Sequence, residues 1–187
     1  LYYTMEWLRG GTLRDWLDLR RGTPGSESEV RPILLGLLEA MAYAHGLSVL
    51  HRDLKPENVV LEGQLPKIVD FGLAYDDHSS QLTAAYDIVG TLQYLAPERL
   101  QGIGYDARSD QYALGVMGYE MLAGCSPFPV TKNSGDALVW RLSQDPAPLG
   151  DATPLRQMVD KMMARNPEDR FARLEEAIEF LARNSLG

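Results

Sequence analysis

The sequence predicts a mainly α domain, α+β overall, in which a helical bundle surrounds a buried central helix and short β-strands carry polar loops. Three observations predict it. Ser109 to Gly124, SDQYALGVMGYEMLAG, is apolar around most of its circumference, with Glu120 its only charge after Asp110, so other helices must enclose it. From Glu29 to His45 the apolar residues Val30, Ile33, Leu34, Leu37, Leu38 and Met41 recur at three and four, the period of a helix with one buried face. Val49-Leu50, Val59-Val60-Leu61 and Lys67-Ile68-Val69 are too short and too β-branched for helices, which predicts small strands bracketing polar loops.

Taken in chain order, Tyr2 to Leu8 reads as a strand end, two glycines follow for a turn, and Thr12 is placed to cap a short amphipathic helix. RRGTPGSESE is a loop before the second helix, in whose first turn Pro32 fits and which Gly46 caps. SPFP breaks the chain after the central helix, and three further helices are predicted at about Gly135 to Leu142, Pro154 to Ala164 and Leu174 to Asn184. No repeat, low-complexity tract or linker divides the chain, so one domain is expected.

The composition narrows the function classes. With 187 residues, 45% of them hydrophobic, the chain can build one sizeable core. A net charge of -8 without a basic run argues against nucleic-acid or anionic-membrane binding. Cys125 is the only cysteine, which leaves no disulfide framework and suits a reducing, cytoplasmic setting; it reads as a small packing residue. No apolar run approaches the roughly 18 to 20 residues that span a bilayer, so no membrane contact is expected from this segment. The first residues, LYYTMEWL, lie inside an apolar, aromatic run and read as a start within a longer sequence.

Chemistry concentrates in HRDLKPENVVL, His51 to Leu61, where two acids, an amide and two bases precede an abrupt apolar turn. A second acid, Asp70, opens another loop after KIV. The oxygens of Asn58 and Asp70 suit Mg²⁺, which takes hard ligands and brings phosphates with it; Mn²⁺ could take its place. Lys55 could meet a phosphate as a point charge. Asp53 is then left to orient a hydroxyl nucleophile and accept its proton, so the set amounts to phosphoryl transfer. His51 is better read as a packed residue bracing the loop than as an acid or base.

HRDLKPEN, DFG (Asp70 to Gly72) and APE (Ala96 to Glu98) stand in the order and spacing of the eukaryotic-type, or Hanks-type, serine/threonine protein kinases, which the chain closely resembles over its whole length. The resemblance implies a protein-kinase-like C-lobe, with the hinge at residues 1–11, the lobe at 12–187 and the activation segment at 70–98. It implies that ATP is the phosphate donor and that protein Ser/Thr hydroxyls are the acceptors. Asp53 would be the catalytic base, Lys55 would stabilise the transferring phosphate, and Asn58 and Asp70 would hold Mg²⁺. Met5 would be the gatekeeper, the backbones of Glu6 and Leu8 would meet the adenine edge, Thr12 would lie near the ribose, and Val60 and Val69 would sit under the nucleotide. Thr91 would contact the catalytic Asp and favour Ser or Thr acceptors. Glu98 would pair with Arg170, and Asp110 would accept hydrogen bonds that brace the catalytic loop.

Regulation follows by the same resemblance. Arg52, which precedes the base, typically receives a phosphate on the activation loop; Thr83 is the candidate acceptor, and the carboxylate of Asp87 could partly replace a phosphate. The loop style TAAYDIVGTLQYLAPERLQG points to a bacterial source. The family's N-terminal lobe contributes a Gly-rich loop, a strand Lys and a helix Glu, none of which occurs in this sequence. The expectation is therefore the C-lobe of a larger kinase, partnered by that lobe and inactive by itself. The alternatives are a pseudokinase or docking module using the lobe as a protein-binding surface, which the intact Asp53, Asn58 and Asp70 disfavour, and a small-molecule kinase, which GTLQYLAPE disfavours.

Overall fold

The structure is a computed structural model that describes residues 6–20, 22–71, 91–129, 134–150 and 153–184. Met5, Thr83 and Asp87 lie outside the described residues, as does Gly72.

Three short strands come first in the architecture because they position the loops. β1 (Gly11–Thr12), β2 (Val59–Glu62) and β3 (Leu65–Ile68) form an antiparallel sheet in that order. Thr12 stands opposite Val60, and Val60 opposite Lys67. Gly63 takes φ 67° in the two-residue turn between β2 and β3, a conformation that a tight hairpin requires and that glycine adopts without strain. The strand expected over Tyr2 to Leu8 is not found in its described part, since residues 6–9 are irregular and pairing begins only at Gly11.

Among the described residues there are seven α-helices, several of them started by recognisable local signals. In α1 (Leu13–Arg20) the Thr12 hydroxyl accepts from the Asp15 N–H at 3.1 Å, and the Asp15 carboxylate accepts from the Thr12 N–H at 2.7 Å. This reciprocal cap is the one that the threonine predicts. α2 (Glu27–Gly46) starts two residues earlier than its apolar period indicates, because Glu29 reaches back to the Ser26 N–H at 3.0 Å. Pro32 therefore sits in the second turn and not the first. Its missing N–H leaves the Ser28 carbonyl, which lies on an exposed residue that water can reach.

The strand expected at Val49-Leu50 is absent. Ser48 adopts φ 60° just beyond α2, and the Val49 N–H turns back to the Ala44 carbonyl at 2.9 Å. Those two residues thus close the helix end, and their β-propensity is overridden by the unsatisfied carbonyls there.

The central helix is α4 (Ala107–Ala123), begun by Asp106, whose side chain accepts from the Arg108 N–H, and ended by Gly124 at φ 70°. Every residue from Ser109 to Leu122 is buried. α3 (Pro97–Leu100), α5 (Ser134–Ser143), α6 (Pro154–Met162) and α7 (Leu174–Asn184) complete the bundle. α4 packs on α2 and α6, and α7 on α2 and α6. Leu34, Leu37, Leu38 and Met41 of α2 meet Leu114, Met117 and Met121 of α4 and Met158 and Met162 of α6 in one cluster, all essentially without exposure. At about 1.5 to 3 kcal/mol for each fully buried side chain of this kind, the cluster is the main source of stability. The domain is therefore mainly α with a small sheet, and no helix among the described residues is long and apolar enough to cross a membrane.

Candidate active site

The polar loop between α2 and β2 is held from below by a single buried carboxylate. Asp110, in the first turn of α4, is fully buried and accepts from the His51 N–H at 3.0 Å, the Arg52 N–H at 3.1 Å, His45 Nε2 at 2.9 Å and the Tyr105 hydroxyl. Four donors on one carboxylate replace the water that burial removes. Burial, reinforced by the Asp110 charge, pushes the Tyr105 hydroxyl well above its ordinary pKa, so it stays a donor.

His51 is likewise buried, and its ring has two fixed partners. Nε2 lies 2.9 Å from the Val69 carbonyl, and Nδ1 accepts from the Asp53 N–H at 3.3 Å. A carbonyl can only accept and an amide N–H only donate, so the ring carries its proton on Nε2. It touches the Phe71 ring at 4.8 Å between centroids. One imidazole thus ties the loop bearing Asp53 to the strand that leads into Asp70.

Asp53, Lys55 and Asn58 stand together. Lys55 Nζ is 2.8 Å from Asp53 Oδ2, and Asn58 Nδ2 donates to the Asp53 carbonyl at 2.8 Å and to its Oδ2 at 3.3 Å. Asn58 closes a single 3₁₀ turn, Pro56 to Asn58, whose proline presets the first position. Because the Asn58 nitrogen is engaged by Asp53, the amide oxygen is the end that a cation would meet. The Val69 N–H donates to the Asn58 carbonyl at 3.0 Å, which brings Asp70, exposed and at φ 58°, next to the same loop. Arg52 also takes a left-handed conformation, φ 70°. Non-glycine residues pay roughly 1 to 3 kcal/mol for such angles, and here one of the two precedes Asp53 while the other is Asp70 itself.

Among the described residues no group of three His, Cys, Asp or Glu side chains could cage a metal. An amide and one carboxylate are nonetheless a fitting donor set for Mg²⁺, which keeps waters and phosphate oxygens in its remaining positions.

The segment from Thr91 to Glu98 joins this centre through α4. Tyr94, Leu95 and Ala96 line a small cleft together with Asp53 and Tyr105. Glu98 accepts from Arg170 through both oxygens, at 2.8 and 2.9 Å, and from the Ser109 hydroxyl at 2.8 Å. Arg170 also donates to the Arg108 and Ala164 carbonyls at 2.8 Å. Burial pushes the Glu98 carboxyl upward, but the Arg170 bonds outweigh it and hold it below its ordinary value. Losing one partner of such a pair typically costs about 3 to 5 kcal/mol.

The remaining residues singled out from sequence are placed less closely. Thr12 and Val60 face each other across β1 and β2, with the Thr12 hydroxyl committed to Asp15, and Val69 follows β3. Glu6 is exposed and reaches Lys67 at 2.5 Å, and Leu8 is half-buried. Thr91 begins a 3₁₀ turn, Thr91–Tyr94, but only its backbone is described.

Sequence reasoning missed a second network. Tyr94 donates to Glu120 at 2.6 Å, Arg14 reaches the Tyr94 hydroxyl at 2.5 Å, and Arg14 also pairs with Glu57 at 3.0 Å. Burial raises the Glu120 carboxyl above its ordinary value against the pull of Tyr94 and Arg14. The lone charge on an otherwise apolar helix was the available signal, because a buried carboxylate demands partners.

The protein kinase domain family matches residues 1–180. The chain belongs to the protein kinase family. As such it is 37% identical over 184 residues to a protein named probable serine/threonine-protein kinase PknB of Bifidobacterium longum, covering 94% of this chain and 26% of that protein. It is 37% identical over 182 residues to the serine/threonine-protein kinase Pkn1 of Myxococcus xanthus, covering 91% and 26%. Against the serine/threonine-protein kinase PknB of Mycobacterium tuberculosis the identity is 34% over 179 residues, covering 91% and 28%. This kinase chain thus spans about a quarter of the length of these three bacterial relatives.

Proposed function

We propose that this chain carries the catalytic loop and acceptor side of an ATP-dependent serine/threonine protein kinase, with the hinge at residues 1–11, the C-lobe at 12–187 and the activation segment at 70–98. The observation that carries the reading is the contact set at Asp53. A carboxylate sits 2.8 Å from a lysine ammonium, beside an asparagine whose nitrogen it engages, on a loop braced by the buried Asp110.

In the proposed reaction the acceptor hydroxyl oxygen bonds to the γ-phosphorus of ATP while the bond from that phosphorus to the bridging oxygen of ADP breaks. Asp53 orients the hydroxyl and takes its proton. Lys55 offers its charge to the transferring phosphate from the position beside Asp53. Asn58 and Asp70 would hold Mg²⁺, which when bound neutralises phosphate charge. Asp110 and His51 hold the loop, and Glu98 with Arg170 anchors the downstream segment; these are positioning roles. The residues that cover the α- and β-phosphates in this family, a Gly-rich loop, a strand Lys and a helix Glu, do not occur among these 187 residues, so the activity is proposed for the full-length protein, acting on protein substrates in the cytoplasm.

Full-length protein incubated with γ-labelled ATP, Mg²⁺ and a degenerate Ser/Thr/Tyr peptide library is expected to label serine or threonine, and labelling is expected to stop when Mg²⁺ is chelated. Label on tyrosine alone, or none on any peptide, contradicts the reading.

A further inference from the structure

The segment from Thr91 to Ala96 must solve a backbone problem. It is a single 3₁₀ turn followed by an extended link into α3, and such a turn cannot satisfy its own last carbonyls. The donors come from α5. Arg141, in the last turn of that helix, donates from one terminal nitrogen to the Gln93 carbonyl and from the other to the Leu95 carbonyl. Its guanidinium carbon lies 4.0 Å from the centroid of the Phe128 ring, and its second nitrogen is 3.5 Å from the Tyr112 hydroxyl. The residue is only 5% exposed. Two carbonyls two residues apart, taken by one rigid fork in a closed site, is a geometry that an ammonium cannot reproduce. Desolvating a guanidinium is costly, and burial lowers the Arg141 pKa accordingly.

The same segment faces the reacting centre, since Tyr94, Leu95 and Ala96 line one cleft with Asp53. Its other attachments come from different elements: the Tyr94 hydroxyl to Glu120 of α4 and to Arg14 of α1, and Glu98 to Arg170. We propose that Arg141 is a positioning residue for the acceptor, fixing the backbone of residues 93–95 beside Asp53 so that α5 sets where the substrate hydroxyl lies. This inference rests on the protein kinase reading of the site and deepens it.

The test uses the full-length protein with Arg141→Met, which keeps the chain length and removes both carbonyl bonds, and Arg141→Lys, which keeps the charge and one bond at a time. With a peptide selected from the library, Arg141→Met is expected to raise the peptide KM by about tenfold or more, the scale of losing charge-assisted hydrogen bonds. The KM for MgATP and the slow hydrolysis of ATP without peptide are expected to stay within about twofold of wild type, and Arg141→Lys to fall between. A merely structural role would lower both activities together. Unchanged peptide KM, or equal losses with and without peptide, overturns the proposal, and Arg141→Lys alone decides it if the methionine variant does not fold. Amide hydrogen exchange over residues 93–96 is measured in the same preparations: faster exchange in the variants is expected whether or not transfer is seen, and unchanged exchange overturns the positioning role. Absence of phosphate transfer by wild type would overturn the kinase reading instead, and the exchange result would still decide the contact.

Discussion

Single side chains in this domain divide into those whose ionised form the fold favours and those whose ionised form it opposes. Glu98 belongs to the first group and Glu120 to the second. Burial raises the Glu120 carboxyl above its unfolded value of 4.5, so its contribution to stability is fully present below that value and is lost as pH rises through the folded pKa. At neutral pH the buried carboxylate therefore costs stability. Glu120→Gln keeps an oxygen for the Tyr94 hydroxyl and removes the charge. The variant is expected to melt above wild type at pH 7 to 8, with the difference shrinking towards zero near pH 4. A variant that melts lower at pH 7 would mean that Arg14, 3.8 Å from Glu120, more than repays the burial. Reading this residue from sequence was half possible. A charge amid SDQYALGVMGYEMLAG announces a buried acid, but nothing in the sequence names Tyr94 or Arg14, which lie 26 and 106 positions upstream.

Elements were legible where one residue's neighbours in sequence are also its neighbours in space. The apolar period gave α2, an apolar run with few charges gave α4, and Thr12 marked the start of α1, because helix patterning and capping are local. Val49-Leu50 misled because two β-branched or apolar residues carry too little information to compete with a helix end that needs its carbonyls satisfied. Packing between elements was not legible, and Gly118 shows why. On sequence it is only a weak helix former, yet a Cβ there would stand 2.9 Å from Val159 Cγ2 and 3.1 Å from Leu34 Cδ2, so the glycine sets how closely α4 approaches α6 and α2. Gly118→Ala should gain about 1 kcal/mol of helix propensity and lose about 1 to 3 kcal/mol to overpacking of two fully buried neighbours. The expected outcome is a lower Tm in thermal melts monitored by circular dichroism. An unchanged or higher Tm would mean that Val159 and Leu34 give way freely.

Across the whole molecule, α4 is the common support. Its first turn carries Asp110 under the loop from His51 to Asn58 and Ser109 on Glu98, while its last turns carry Glu120 on Tyr94. The loop motifs could be read directly, since HRDLKPEN and APE hold their chemistry within a few residues. Asp110 and the Glu98–Arg170 pair could be named only through the family resemblance, and His45 on Asp110 and Arg14 on Tyr94 not at all, because they meet across 65 and 80 positions and side-chain pairing at such separations leaves no periodic trace. In the proposed reaction the arrangement separates two tasks, holding the loop and accepting the proton, the second assigned to Asp53.

Asp53→Asn in the full-length protein tests that separation most directly, because the amide retains the size and most contacts of the carboxylate but takes up no proton. Calorimetric titration with MgATP, alongside steady-state transfer to a selected Ser/Thr peptide, should give nucleotide affinity within about threefold of wild type and a kcat reduced by about 10² to 10⁴, the usual contribution of a positioned base. Transfer at the wild-type rate, or a loss of nucleotide binding as large as the loss of turnover, would contradict the assignment of Asp53 as the base.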